Sequence, residues 1–118
     1  MSRRLRGRYE LSEADMHKKL PDSVGMTGDW CHNGPTYEIP FSALVGGRIK
    51  NLITAGRIIS TSDSVWNVTR VIPPSAVSGQ AAGTAAAMFA SFEDCDVSAL
   101  QKRLAGQRVK LHMDQKMD

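Results

Sequence analysis

The apolar positions of this chain come in short runs, and no uninterrupted run of about 18 residues, the length that spans a bilayer, occurs anywhere. Residues 4 to 11, "RLRGRYEL", read as a short strand. "SEADMHKKL" follows, with Ser12 ahead of acidic residues in the pattern of a short helix start. From Pro21 to Pro40 the chain holds three prolines, three glycines and several Asp, Asn and Ser turn formers, which predicts a long ordered loop or a pair of short strands. The isoleucine-rich "NLITAGRIIS" reads as a buried strand interrupted at Ala55-Gly56. "VWNVTRVIPP" is β-branched and reads as extended up to its prolines, since a residue before proline avoids the helical region. Two helices close the pattern, one over 75–91 and one in "EDCDVSALQKRLAG" with Asp96 as N-cap and Gly106 as its stop, before "RVKLHM" as a final strand.

The first of those helices is built almost entirely from glycine, alanine and serine. Gly79, Ala82, Gly83, Ala86 and Ala90 recur at spacings of three and four and share one face of nearly bare backbone. Each helix-interior glycine costs roughly 1 kcal/mol relative to alanine, so close approach by another backbone or a flat ligand is the expected compensation. Pro73 and Pro74 open the helix, and the amides of Ser75 to Ser78 are expected to carry the partial positive charge of its first turn, which favours an anion or an electron-rich oxygen. The same pattern also suits tight packing against a sheet, with the Ser75 hydroxyl as cap.

At 118 residues the chain has the length of one domain, 1–118, and 42% apolar residues allow one modest core. The net charge of +3 is spread between "SRRLRGR" and "QKRLAGQRVK", which permits but does not indicate a nucleic-acid partner; Arg3, Arg4, Arg6 and Arg8 are the only candidates for one, and none is expected. Cys31 and Cys95 lack paired spacing, and His17, His32 and His112 are dispersed, so no metal is expected. With no apolar segment behind the N-terminal arginines, the chain reads as soluble and cytoplasmic, without a membrane partner. There is no G-x-S-x-G elbow and no phosphate-binding loop. Trp30, Tyr37, Phe41 and Trp66 read as core-filling aromatics.

Five blocks carry a resemblance: "RRLRGRYELSEADM", "YEIPFSALV", "KNLITAGRIIS", "TRVIPPSAVSGQAAGTAAA" and "DVSALQKRLAGQ". In this order, and spanning nearly the whole chain, they resemble the C-terminal portion of the FAD-dependent oxidoreductases whose members begin with a Rossmann dinucleotide fold. The resemblance implies an α/β or α+β piece with a few short strands, the small-residue helix and a C-terminal helix. It places Gly56 and Arg57 beside the ribityl and pyrophosphate part of FAD, and Ser78, Gly79 and Gln80 near the pyrimidine edge of the flavin ring. There a helix N-terminus would stabilise the negative charge of reduced flavin. Arg70 and His32 are the resemblance's catalytic candidates, Arg70 facing the flavin or an anionic substrate and His32 on the substrate side. Each has a plainer reading, as a surface ion pair and an exposed loop histidine. Where the family often has a histidine after the Ala-Gly-Arg turn, this chain has Asp63 in "STSDSV".

No G-x-G-x-x-G turn of the dinucleotide-binding βαβ unit occurs in the sequence. The expected function is therefore the flavin-ring side of an FAD site, in a fragment of a larger enzyme or a short product retaining its tail. FAD should bind weakly or not at all to this chain alone, so activity in isolation is not expected. The expected partners are the dinucleotide-binding domain or a second copy of the chain in a homo-oligomer, together with a small-molecule substrate. The alternative is a stand-alone oligomerisation or interaction module without cofactor.

Overall fold

The computed structural model describes residues 4–29, 34–93 and 95–112. Two strands, β1 (Ser23–Gly28) and β2 (Thr36–Pro40), are followed by α1 (Asp63–Thr69), α2 (Ile72–Met88) and α3 (Val97–Gly106), with single 3-10 turns at Glu13–Asp15, Phe41–Ala43 and Gly56–Ile58. The strands pair antiparallel, with Gly25 opposite Ile39 and Thr27 opposite Tyr37, and the register shifts between Ser23 and Gly25. Of the two expectations for 21–40, the pair of short strands is the one that forms. Helices packed on a two-stranded antiparallel sheet make this a small α+β arrangement.

The main core gathers Val24 and Ile39 from the sheet, Phe41 and Leu44 from the turn after it, Ala81 and Ala85 from α2, and Leu100 and Leu104 from α3. Phe41 and Phe92 meet edge to face, with ring centroids 6.5 Å apart. A second cluster of Leu11, Leu20, Tyr37, Val65 and Val68 binds the N-terminal segment to α1. Tyr37 and Phe41 are thus core aromatics as expected. Trp66 is only half-buried, and Trp30 lies outside the described residues.

Several elements differ from the sequence reading. Residues 4–11 form no strand: the segment threads between two others, its amides bonding Ile58 O from Leu5, Val45 O from Arg8 and Ser42 O from Tyr9, with one isolated bridge from Leu11 to Thr61. A chain that changes partner every few residues cannot build a ladder. The helix expected after Ser12 is one 3-10 turn, in which the Asp15 carboxylate accepts the Ser12 amide at 3.0 Å. "NLITAGRIIS" is likewise not a strand. Gly56 adopts φ 74°, a left-handed conformation open to glycine, and the 3-10 turn that starts there breaks the run. The segment expected to be extended before Pro73 is α1. Ser62 caps it by accepting the Val65 amide at 3.4 Å, and Val65 and Val68 are buried, so capping and packing override β-branched propensities worth a few tenths of a kcal/mol each.

α2 starts at Ile72 rather than 75, with both prolines inside its first turn, and ends at Met88. α3 has its expected cap, Asp96 accepting the Ala99 amide at 3.2 Å. Its exit differs: Gly106 is still helical, and the left-handed residue is Arg108 at φ 67°. Among the described residues, those after α3 make no strand; Leu111 and His112 are instead tied to the sheet, through Ser23 Oγ to Leu111 O and through His112 Nδ1 to Glu38 Oε1 at 2.8 Å.

Candidate functional site

The start of α2 meets the Gly56 turn. The Gly56 amide donates to Ser78 Oγ at 2.8 Å, and that hydroxyl donates in turn to Ser75 O at 3.2 Å. Ser78 is fully buried and Gly56 half-buried, so the serine fixes the turn from beneath while the glycine presents a Cα without a side chain. A Cβ on Gly56 would come no closer than 3.9 Å to Ser75 Oγ; it is the left-handed backbone, not crowding, that calls for glycine.

Next to it, Arg57 and Arg70 share one indole. Their guanidinium carbons lie 6.0 and 5.6 Å from the centroid of Trp66. Trp66 and Arg70 are four residues apart and fall on one side of α1 and its C-cap, while Trp66 Nε1 donates to Arg57 O at 3.1 Å and fixes the ring against the Gly56 turn. This grouping has no signature in the sequence beyond the i, i+4 spacing of Trp66 and Arg70.

On the other side of the α2 start, a concavity of about 380 Å3 is lined by Met26, Thr27, Asp29, Val71, Pro73 and Val77. Here helix and sheet come closest: a Cβ at Gly25 would overlap a Val77 methyl. Close approach between α2 and the sheet therefore rests on a strand glycine, not on the glycines of the helix. Among the described residues a Cβ at Gly79 or Gly83 would meet nothing within 4 Å, and both are exposed with Ala86 and Ala90; the buried stripe of α2 is Ser78, Ala81, Ala82 and Ala85.

The amides of Ser75 to Ser78 also differ from expectation. Because α2 begins at Ile72, the Ser75 amide bonds Val71 O at 3.2 Å and the next three lie within the helical ladder. Pro73 and Pro74 have no N–H, which leaves the Ile72 amide as the donor of the first turn. The positive pole of the helix remains, with fewer donors than the sequence suggested.

Of the residues singled out from sequence, Gly56, Arg57, Ser78 and Arg70 come together. Gly79 faces outward one residue further on, and Gln80 points elsewhere, donating to Gln107 Oε1 at 2.9 Å at the end of α3. His32 lies outside the described residues. No group of three or more His, Cys, Asp or Glu able to hold a metal occurs among the described residues, and no described helix is long and apolar enough to cross a membrane.

Two tyrosines are shifted upward. The Tyr9 hydroxyl donates to the Asp15 carboxylate, and this bond, with burial and the nearby carboxylate charges, pushes its pKa up to about 12. Burial, followed by the charges of Asp29, Glu13 and Asp15, raises Tyr37.

A family model described as FAD dependent oxidoreductase matches residues 2–109, which takes in both strands, all three helices and the whole Gly56–Ser78 region. The chain belongs to that family. It matches no curated protein and no solved structure.

Proposed function

We propose that this chain is the C-terminal portion of an FAD-dependent oxidoreductase and supplies the surface on which the flavin ring rests, the dinucleotide-binding unit lying elsewhere in the enzyme. The observation that carries this reading is the exposed, side-chain-free face of α2 beside the Gly56 turn. Two interior glycines at 79 and 83 face outward with nothing among the described residues against the position of a side chain, at a cost of roughly 1 kcal/mol each, which suits a flat partner from outside.

The geometry fits such a ring in part. Gly56 and Gly79 would lie in contact with it, Ser78 would act from beneath by holding Gly56, and Arg57 and Arg70 would flank the same end. Gln80 is drawn away to Gln107 and is not needed by the proposal. FAD, when bound, supplies two-electron hydride chemistry. This chain's own contribution is to present bare backbone, to direct the positive pole of α2 toward negative charge, and to exclude water with Val71, Pro73 and the exposed Ile72. The dinucleotide-binding domain or a second copy of the chain would cover Ile72, which is 85% exposed.

Titrating the chain into riboflavin, FMN and FAD while following flavin fluorescence tests the proposal. Weak, saturable quenching of similar strength for all three is expected, because the contacts belong to the ring. Absence of quenching for every flavin favours the alternative, a module that associates without cofactor.

A further inference from the structure

We propose that the outer edge of β1 is a docking site for one extended segment of polypeptide, supplied by the part of the enzyme outside this chain, which adds to the sheet as a further strand. Only the source of that strand rests on reading the chain as a portion of a larger enzyme. The Asp29 amide bonds Pro35 O opposite it at 3.0 Å. In the alternating antiparallel pattern Thr27 and Gly25 then also bond across to β2, whereas the N–H and C=O of Met26 and Gly28 point away from it. Among the described residues these outward groups have one partner: the Gly28 carbonyl accepts the neighbouring Thr27 hydroxyl at 3.2 Å and keeps a second lone pair.

Neighbouring stretches of the sheet's rim are closed. Thr36 O on the outer side of β2 accepts the His17 amide at 2.8 Å, and Gln101 Nε2 of α3 donates to Pro21 O and Ser23 O, each at 2.9 Å. The stretch from Met26 to Gly28 stays open, without the charged side chain or proline that ordinarily guards a sheet edge, and it faces the concavity of about 380 Å3. Met26, Thr27, Gly28 and Asp29 all line that concavity. Side chains alternate between the faces of a strand, so four consecutive lining residues mark its edge rather than one face. Val71, Pro73 and Val77 make the opposite, apolar wall. A main chain laid in this groove finds donors and acceptors on one side and an apolar surface for its side chains on the other, which selects an extended peptide over a helix whose own backbone groups are already paired. A second copy pairing edge to edge would bring its own α2 against the same wall, so the groove suits a single segment.

The probe is a short capped peptide of alternating threonine and valine between terminal lysines, titrated without flavin into the nitrogen-15-labelled chain. In the free chain, amide hydrogen exchange should be fast at Met26 and Gly28 and slower at Thr27. The peptide should give saturable amide shifts and slowed exchange at Met26 and Gly28, and a control peptide with proline in place of valine should not. Gly28→Pro removes an outward donor that the pairing with β2 does not use, so far-UV circular dichroism should be unchanged while peptide binding weakens about tenfold. Gly28→Ala keeps the N–H, and its Cβ would come no closer than 4.0 Å to Pro35 O, so it should bind as the parent chain does. Exchange at Met26 and Gly28 as slow as at Thr27, no peptide-dependent shift, or equal weakening by Gly28→Ala and Gly28→Pro would each overturn the proposal. So would a dimer that Gly28→Pro dissolves, which would put a second copy on the edge. Flavin fluorescence scores the flavin reading separately, and the two can fail independently.

Discussion

The Gly56 amide is held by the hydroxyl of Ser78 at 2.8 Å, and this bond joins the turn after Ala55 to the first half of α2. Ser78, which is fully buried, holds the turn from inside, while Trp66 Nε1 donates to Arg57 O from the other side. Replacing Ser78 by alanine leaves a part-buried N–H without its acceptor, which costs about 1–3 kcal/mol. Chemical denaturation should show this as a lower midpoint with unchanged slope.

The helix glycines should behave in the opposite way. A Cβ at Gly79 or Gly83 enters open space, so Gly79→Ala and Gly83→Ala should each stabilise the chain by about 0.5–1 kcal/mol. The same substitutions should weaken flavin binding. A variant that gains stability and loses the ligand separates a face kept for a partner from one kept for folding.

At Gly25 the fold has no such room. Gly25→Ala sets a methyl against Val77, whose β-branched side chain has one strongly preferred rotamer in a helix, and should destabilise by about 1–3 kcal/mol. Trimming the partner, as Gly25→Ala with Val77→Ala, should recover part of the loss, and denaturation of both variants measures the coupling.

Stability should fall at high pH through Tyr9. Its pKa is raised in the folded chain, so the neutral hydroxyl is the form that folding favours. Its contribution is complete below the ordinary tyrosine pKa near 10 and is lost as pH rises through about 12. Tyr9→Phe should lower stability at pH 8 and flatten its decline between pH 10 and 12, as read from melting temperatures.

What the sequence disclosed, it disclosed through local chemistry. Asp96 caps α3 as a side chain three residues from the amide it accepts, and the proline- and glycine-rich stretch from Pro21 to Pro40 folds as the strand pair its composition allows. The misread segments depend on distant partners. Residues 4–11 are extended but bond to 42–45 and 58, far along the chain, and α1 forms from β-branched residues because Ser62 caps it and the Leu11 cluster buries it. Gly56 looked like an interruption in a strand, whereas its left-handed φ starts a turn whose anchor lies 22 residues later. In α2 the glycine spacing was visible, but which face it would occupy was not, since the buried stripe is set by Ala81 and Ala85 packing into the core.

The central claim is that the flavin ring rests where the Gly56 turn meets the bare face of α2. Amide chemical-shift mapping of the labelled chain during a riboflavin titration tests this most directly. The account predicts saturable shifts at Gly56, Arg57 and Gly79, with Leu100 and Leu104 on α3 unmoved. Shifts confined to α3, or none at riboflavin saturation, would contradict it.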